Sequence, residues 1–376
     1  MINKFRETCF LICLLAGSVY NFDHKIFRVL ALLIWVCAPL LIIISYGWKA
    51  KVKAKSDLLL GLLVLSFTFF VFFINGSNLD IKLSGPSAEF ITPVLFMVHA
   101  LMLYSFYLIK DDGGFNHKFI SRFTFWLLIV LCLDMLVRYL QNPGCFMNYT
   151  CRYEAKTIGF FSTTNVVGQI VAYLVPILFY INFKYKKLTI IMLWTIIFTA
   201  MARSAIIALI IVTTIQFFYH NRNWLKNTFA LLTFFSLTLF FIFDPLNLLK
   251  DGSGQSKVAF FISVFELVAN ASLKELLFGF GSSYELIVKL IDVNGWSPHA
   301  SVLKALMYYG LFGLTFFVTL LGRLYLLDGR ITLAIISFLI FGLAGAPIYW
   351  PTLSVGVCLL LVDKCIKRRE VVVGRI

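Results

Sequence analysis

Charge is what this sequence has least of. Only 14% of its 376 residues are Asp, Glu, Lys or Arg, against 60% that are hydrophobic, and mean hydropathy is +0.90. A soluble domain is closer to half apolar, so this balance excludes one of ordinary kind. Also missing are a Walker motif, a dinucleotide-binding fingerprint and a metal-ligand cluster, and no lipidation box is evident. No stretch is polar enough to form a separate soluble domain.

What is present is apolar sequence in blocks of about 20 residues with short polar loops between them, the pattern of helices crossing a bilayer. The expectation is an all-α polytopic integral membrane protein, one membrane domain over residues 1–376. Spans fall near 8–22, 26–47, 57–75, 89–109, 122–141, 160–182, 188–201, 204–219, 228–243, 300–322, 331–346 and 349–363. That makes about 12 transmembrane helices with both termini cytoplasmic. The start, "MINKFRETCFLICLLAGSVY", imitates a signal peptide but reads as an uncleaved first span, because a second span follows within a few residues. The 40 Phe are packing and lipid-facing bulk.

The net charge of +15 does not point to nucleic acid. Most of the basic residues cluster in short loops: "KAKVKAK" (49–55), "FKYKK" (183–187) and "KCIKRREVVVGR" (364–375). This is the distribution of cytoplasmic loops. Of the eight Cys, six lie in apolar stretches or at a helix end and read as packing. Cys145 and Cys151, in "NPGCFMNYTCRYEA", sit in an outer loop where a disulfide is plausible in an oxidising compartment.

The stretch "TAMARSA" breaks residues 188–219 into two short helices. A single long helix would send "HNRNWLK" (220–226), "RLYLLDGR" (323–330) and the basic C-terminus outside; two keep them inside, with Arg203 at the outer end. Two outer loops then stand out, 142–159 and 244–299. The second contains "SKVAFFISVFELVANASLKELLF", with apolar positions at helical spacing, read as an amphipathic helix at the membrane surface and ended by "GFGSS". Asp134 and Arg138, at i and i+4 within the fifth span, read as an internal ion pair near its outer end. The glycines of "GFG" and "GLFGL" read as turn and packing residues. In "SPHA", Ser297 suits an N-cap and Pro298 the first helical position, which puts His299 in the first turn.

Four stretches in this order carry a resemblance: "CRYEAKTIGFFSTTNVVGQIVAYLVP", "TAMARSAIIALIIV", "DGSGQSKVAFF" and "LFGFGSSYELI" followed by "GWSPHASVLKALMYYGLFGLTFFV". Over residues 150–320 the chain resembles the O-antigen polymerase and O-antigen ligase superfamily, the Wzy and WaaL proteins. Three positions depart from the family's usual pattern. Arg203 precedes Ser204 rather than following a Ser, Lys257 stands where an Arg is common, and Ala300 follows the histidine where Asn is common. The ligases resemble one another most closely around that histidine, so Ala300 favours the polymerase.

The resemblance implies a GT-C-like membrane glycosyltransferase of the bacterial inner membrane, multi-pass, with its active site facing the periplasm and 142–159 and 244–299 as periplasmic loops. It implies an undecaprenyl-pyrophosphate-linked oligosaccharide as donor and as acceptor, no cofactor and no metal. It places the protein among membrane lipids and admits a chain-length regulator as partner. A ligase would pass the polymer to lipid A–core instead. A lipid-linked oligosaccharide transporter, or flippase, is the rival of another class, but no duplicated halves are visible.

Phosphate chemistry suits Arg, whose planar fork binds oxygens in pairs. Arg203 and Arg152 are the candidates, with Lys257 and Lys304 as point charges and Asn165 orienting a sugar or the pyrophosphate. His299 is the catalytic candidate beside Arg203, either as a base for the acceptor hydroxyl or as a cationic clamp. Glu154, Asp244 and Asp251 are alternative bases.

Overall fold

The computed structural model describes residues 2–19, 25–47, 59, 62–63, 66–67, 70, 88–112, 114–143, 161, 164–200, 203–220, 262–280, 301–342 and 351–373. Among them every extended element is a helix. In chain order these are α1 (Ile2–Val19), α2 (Lys25–Tyr46), α3 (Ala88–Asp111), α4 (Phe119–Gln141), α5 (Thr164–Leu178), α6 (Lys186–Thr199) and α7 (Arg203–His220). They are followed by α8 (Leu273–Phe278), α9 (Ser301–Leu327), α10 (Thr332–Gly342) and α11 (Pro351–Val373). A further helical stretch covers 262–269.

Among the described residues, three helices hold segments long and apolar enough to cross a membrane: Val29–Tyr46, Phe119–Gln141 and Tyr309–Leu327. Shorter apolar helices cover Val166–Leu178, Ala205–Gln216 and Gly329–Leu339. The exposed side chains of the long ones are themselves apolar: Leu30, Leu33 and Ile44 on α2, Phe125, Leu136 and Leu140 on α4, Phe312 and Val318 on α9. Such a surface is unfavourable in water and suits lipid.

α5 is the hub. Its sequence, TNVVGQIVAYLVPIL, is apolar on nearly all sides, and a helix of that kind belongs in the interior. It packs against α6, α7, α10 and α11, and Val167, Ile170, Val171, Leu174 and Ile177 are fully buried. Among the described residues six cysteines are free, Cys13 and Cys358 of them fully buried. Phenylalanines pack on one another as bulk: Phe10 meets Phe106, Phe115 and Phe119 at 5.3–6.5 Å between ring centroids.

Polar contacts at the helix ends fix which ends share a face. Arg6 of α1 donates to the Ser45 carbonyl (2.7 Å) and hydroxyl (2.8 Å) at the end of α2 and to Asp112 (2.5 Å) just past α3. Its guanidinium lies 3.5 Å from the Tyr46 ring centroid. Glu7 accepts from the Asn116 backbone N–H just before α4. On the same face, Arg330, between α9 and α10, donates to Asp363 (2.5 Å) and to the Leu360 carbonyl (2.8 Å) near the end of α11. Lys186, at the start of α6, lies within electrostatic range of Asp363 and Lys367. The ends α4, α5 and α6 turn to the opposite face are tied together separately, as described below.

The break expected in "TAMARSA" is present: α6 stops at Thr199 and α7 starts at Arg203. Both pack against α5. One continuous helix over these residues would run ~50 Å, more than twice the ~22 Å of α5, and could not lay both halves on it. The amphipathic segment differs from the single helix expected. It is interrupted at 271–272, where the Ser272 hydroxyl accepts from the Glu275 backbone N–H and the Glu275 carboxylate accepts from the Ser272 N–H, a capping box that starts α8 afresh. Gly279, with φ +78°, ends α8, as the glycine-rich turn implied.

Candidate functional site

The face opposite the Arg6 and Arg330 contacts begins with a buried ion pair. Asp134 and Arg138 lie one turn apart on α4, both fully buried, with Arg138 Nε 2.8 Å from Asp134 Oδ2. Burying two charges is costly unless their remaining lone pairs and protons also find partners. Here one residue supplies both: the Phe161 backbone N–H donates to Asp134 Oδ1 (3.0 Å), and Arg138 Nη2 donates to the Phe161 carbonyl (2.5 Å). The Phe161 ring is buried as well. Phe161 belongs to "GFFSTTNVVG", three residues before α5. One turn of α4 thus anchors the approach to α5. Next to Arg138, the Tyr139 hydroxyl donates to the Thr199 carbonyl at the end of α6. The C-terminal end of α4 therefore holds the approach to α5 and the end of α6 together.

α9, which ends just before Arg330, is broken. Gly310 has φ +65° and ψ −157°, dividing the helix into 301–309 and 311–327. A break orphans carbonyls of the preceding turn. In an unbroken helix the Met307 carbonyl would accept from residue 311; here the Phe280 N–H donates to it at 2.7 Å. The end of α8 thus substitutes for a lost helical hydrogen bond. A Cβ at Gly310 would come 2.5 Å from the Leu277 carbonyl carbon, so only glycine lets the two backbones meet. Phe278 stacks on Phe312 at 5.4 Å across the break, and Phe67 lies 5.0 Å from Phe316.

Helix ends carry three of the candidate residues. Asn165 is the second residue of α5, Arg203 the first of α7 and Lys304 falls in the first turn of α9. Their backbones are described and their side chains are not. His299, two residues before α9, and Arg152, Lys257, Glu154, Asp244, Asp251, Cys145 and Cys151 lie outside the described residues. The ion pair of Asp134 with Arg138 stands as the sequence implied. Its grip on Phe161 had no sequence signal, because the partner is a backbone unit more than 20 residues away. Gln169 Oε1 on α5 and Ser337 Oγ on α10, both buried, have no hydrogen-bond partner among the described residues, a second feature that sequence reading missed.

No protein-family model matches this chain, and no curated protein is significantly similar to it. The site is left to be judged on its chemistry. The starts of α5 and α7, with Asn165 and Arg203, lie near the buried ion pair of α4, and α8 is docked on the break in α9. Such an arrangement can hold an anionic, oxygen-rich head group while the apolar body keeps the rest of the molecule in lipid.

Proposed function

We propose that the chain is an O-antigen polymerase: a GT-C-like inner-membrane glycosyltransferase of about 12 spans, joining oligosaccharide repeat units carried on undecaprenyl pyrophosphate at the periplasmic face. The observation that carries this reading is the convergence of helix ends. The start of α5, bearing Asn165, and the end of α6, just before α7 begins with Arg203, are tied to one end of α4. These are positions at which the first two resembling stretches place polar residues.

In the reaction a hydroxyl oxygen of the acceptor sugar attacks the anomeric carbon of the donor. The bond from that carbon to the pyrophosphate oxygen breaks, and the electron pair leaves with the lipid pyrophosphate. The hydroxyl proton goes to a base, His299 in the first instance, with Glu154, Asp244 and Asp251 as alternatives. The donor is already activated, so the protein's task is to orient the hydroxyl and neutralise the departing charge. Arg203, Arg152, Lys257 and Lys304 serve the second need. Ala300 beside His299 favours the polymerase over the ligase.

Deleting the gene separates the readings. Loss of a polymerase leaves surface lipopolysaccharide of core plus one repeat, seen as collapse of the ladder on a gel. Loss of a ligase leaves bare core with polymer stranded on its lipid carrier, and loss of a flippase leaves repeat units inside. Complementation with Arg203→Ala is expected to restore protein in the membrane but no ladder. Losing one charge-neutralising donor costs ~100-fold or more in rate. A full ladder from that variant removes Arg203 from the mechanism, and His299→Ala at matched expression tests the base in the same way.

A further inference from the structure

The charges on the other face are out of balance where α6 begins and α11 ends. Lys184, Lys186 and Lys187 come from the first segment, and Lys364, Lys367 and Arg368 from the second. Lys186 lies within electrostatic range of both Lys367 and Asp363, which brings the start of α6 beside the end of α11. Among the carboxylates whose side chains are described there, Asp363 and Asp328 are both engaged. Asp363 is almost fully buried and accepts from Arg330 (2.5 Å) and Lys367 (2.9 Å). Asp328 is held by Arg330 at 2.8 Å and lies within electrostatic range of Lys364. Lys184, Lys187, Lys364 and Arg368 remain exposed. The crowding shows in Lys186, held below the ordinary lysine range by burial first and by Lys367 second.

The surroundings say what kind of anion fits. Tyr185, 65% exposed, stands beside Lys184, whose ammonium is 4.8 Å from its ring centroid. Aromatic rings of this kind collect at lipid head-group level. Directly along α6, Leu188 (56%) and Ile191 (62%) are exposed. A soluble anion would use the cations and leave that apolar strip uncovered, whereas a phospholipid covers both.

We propose that the cation cluster at the start of α6 and the end of α11 binds an anionic phospholipid, its head group among the lysines and its acyl chains along Leu188 and Ile191. The site is independent of the glycosyl-transfer reading and lies on the face away from the candidate active site.

The test uses the full chain in vesicles of phosphatidylcholine alone or with phosphatidylglycerol added. Melting temperature is read for each, and lipid that stays bound after detergent extraction is identified by mass spectrometry. The wild-type protein is expected to melt higher with phosphatidylglycerol and to retain it. In Lys184→Gln/Lys187→Gln/Lys364→Gln/Arg368→Gln, apparent affinity should fall about fivefold per cation removed, and the melting shift should vanish. Lys184→Arg/Lys187→Arg should keep both. Three results each overturn the site: an undiminished shift in the neutralised variant, the same loss on converting Lys49, Lys51, Lys53 and Lys55 to Gln, or an equal shift from inorganic phosphate with phosphatidylcholine. Should the fourfold variant fail to fold, Lys187→Gln/Arg368→Gln is read in the same assay, with about a 25-fold loss of affinity expected and an unchanged affinity overturning the site.

Discussion

Asp134 and Arg138 show how a costly feature becomes a useful one. A charge inside a membrane helix is unfavourable unless paired, and here pairing recruits the Phe161 backbone. Either single truncation strands the other charge. Asp134→Ala and Arg138→Ala are each expected to cost about 3–5 kcal/mol, measured as unfolding free energy in detergent. The double variant should cost clearly less than the sum, because no orphan charge remains, and an additive cycle would mean the two groups are not coupled. Asp328 offers a pH test. Burial pushes its carboxyl up, but the hydrogen bonds and charge of Arg330, with Lys364, outweigh burial and hold it below the ordinary range. A depressed carboxyl contributes stability above its unfolded pKa and loses it as pH falls through the folded value. Wild-type melting should therefore drop at acid pH by more than that of Asp328→Asn, the difference being roughly 1–2 kcal/mol.

Among the elements, α9 is the most informative. Its interruption at Gly310 is sealed by α8, so a segment from outside the span completes the hydrogen bonding of the span. Irregular backbone at membrane depth is tolerated where protein covers it. Gly310→Ala must adopt φ +65° and push its Cβ into the Leu277 backbone. The strain alone is worth about 1–3 kcal/mol, so a melting temperature lowered accordingly is expected. A variant with wild-type melting would show that α8 is not seated on the break. The capping box at Ser272 serves the same docking by starting α8 where it can reach α9.

The whole molecule has two unlike faces. One is closed by contacts among charges: Arg6 with Asp112, Arg330 with Asp328 and Asp363, Lys367 with Asp363. The other joins the approach to α5 and the end of α6 at the buried pair of Asp134 and Arg138 on α4. Between the faces, α5 is enclosed by α6, α7, α10 and α11. Gly356 of α11 lies against the Ile177 side chain, whose Cδ1 would have to move to admit a Cβ there.

The sequence by itself determined the class of molecule, because apolar block length and the scarcity of charge are properties of the chain alone. It also set the break between α6 and α7, where basic-loop asymmetry and a polar interruption coincide, and the pairing of Asp134 with Arg138, a contact local to one helix. Tertiary structure decided what local pattern does not encode: that this pair holds Phe161, that Phe280 repairs α9, and that the approach to α5 and the end of α6 meet at one end of α4. Each of these joins segments distant along the chain, and most act through backbone groups, which every residue carries alike and which therefore leave no mark in the order of side chains.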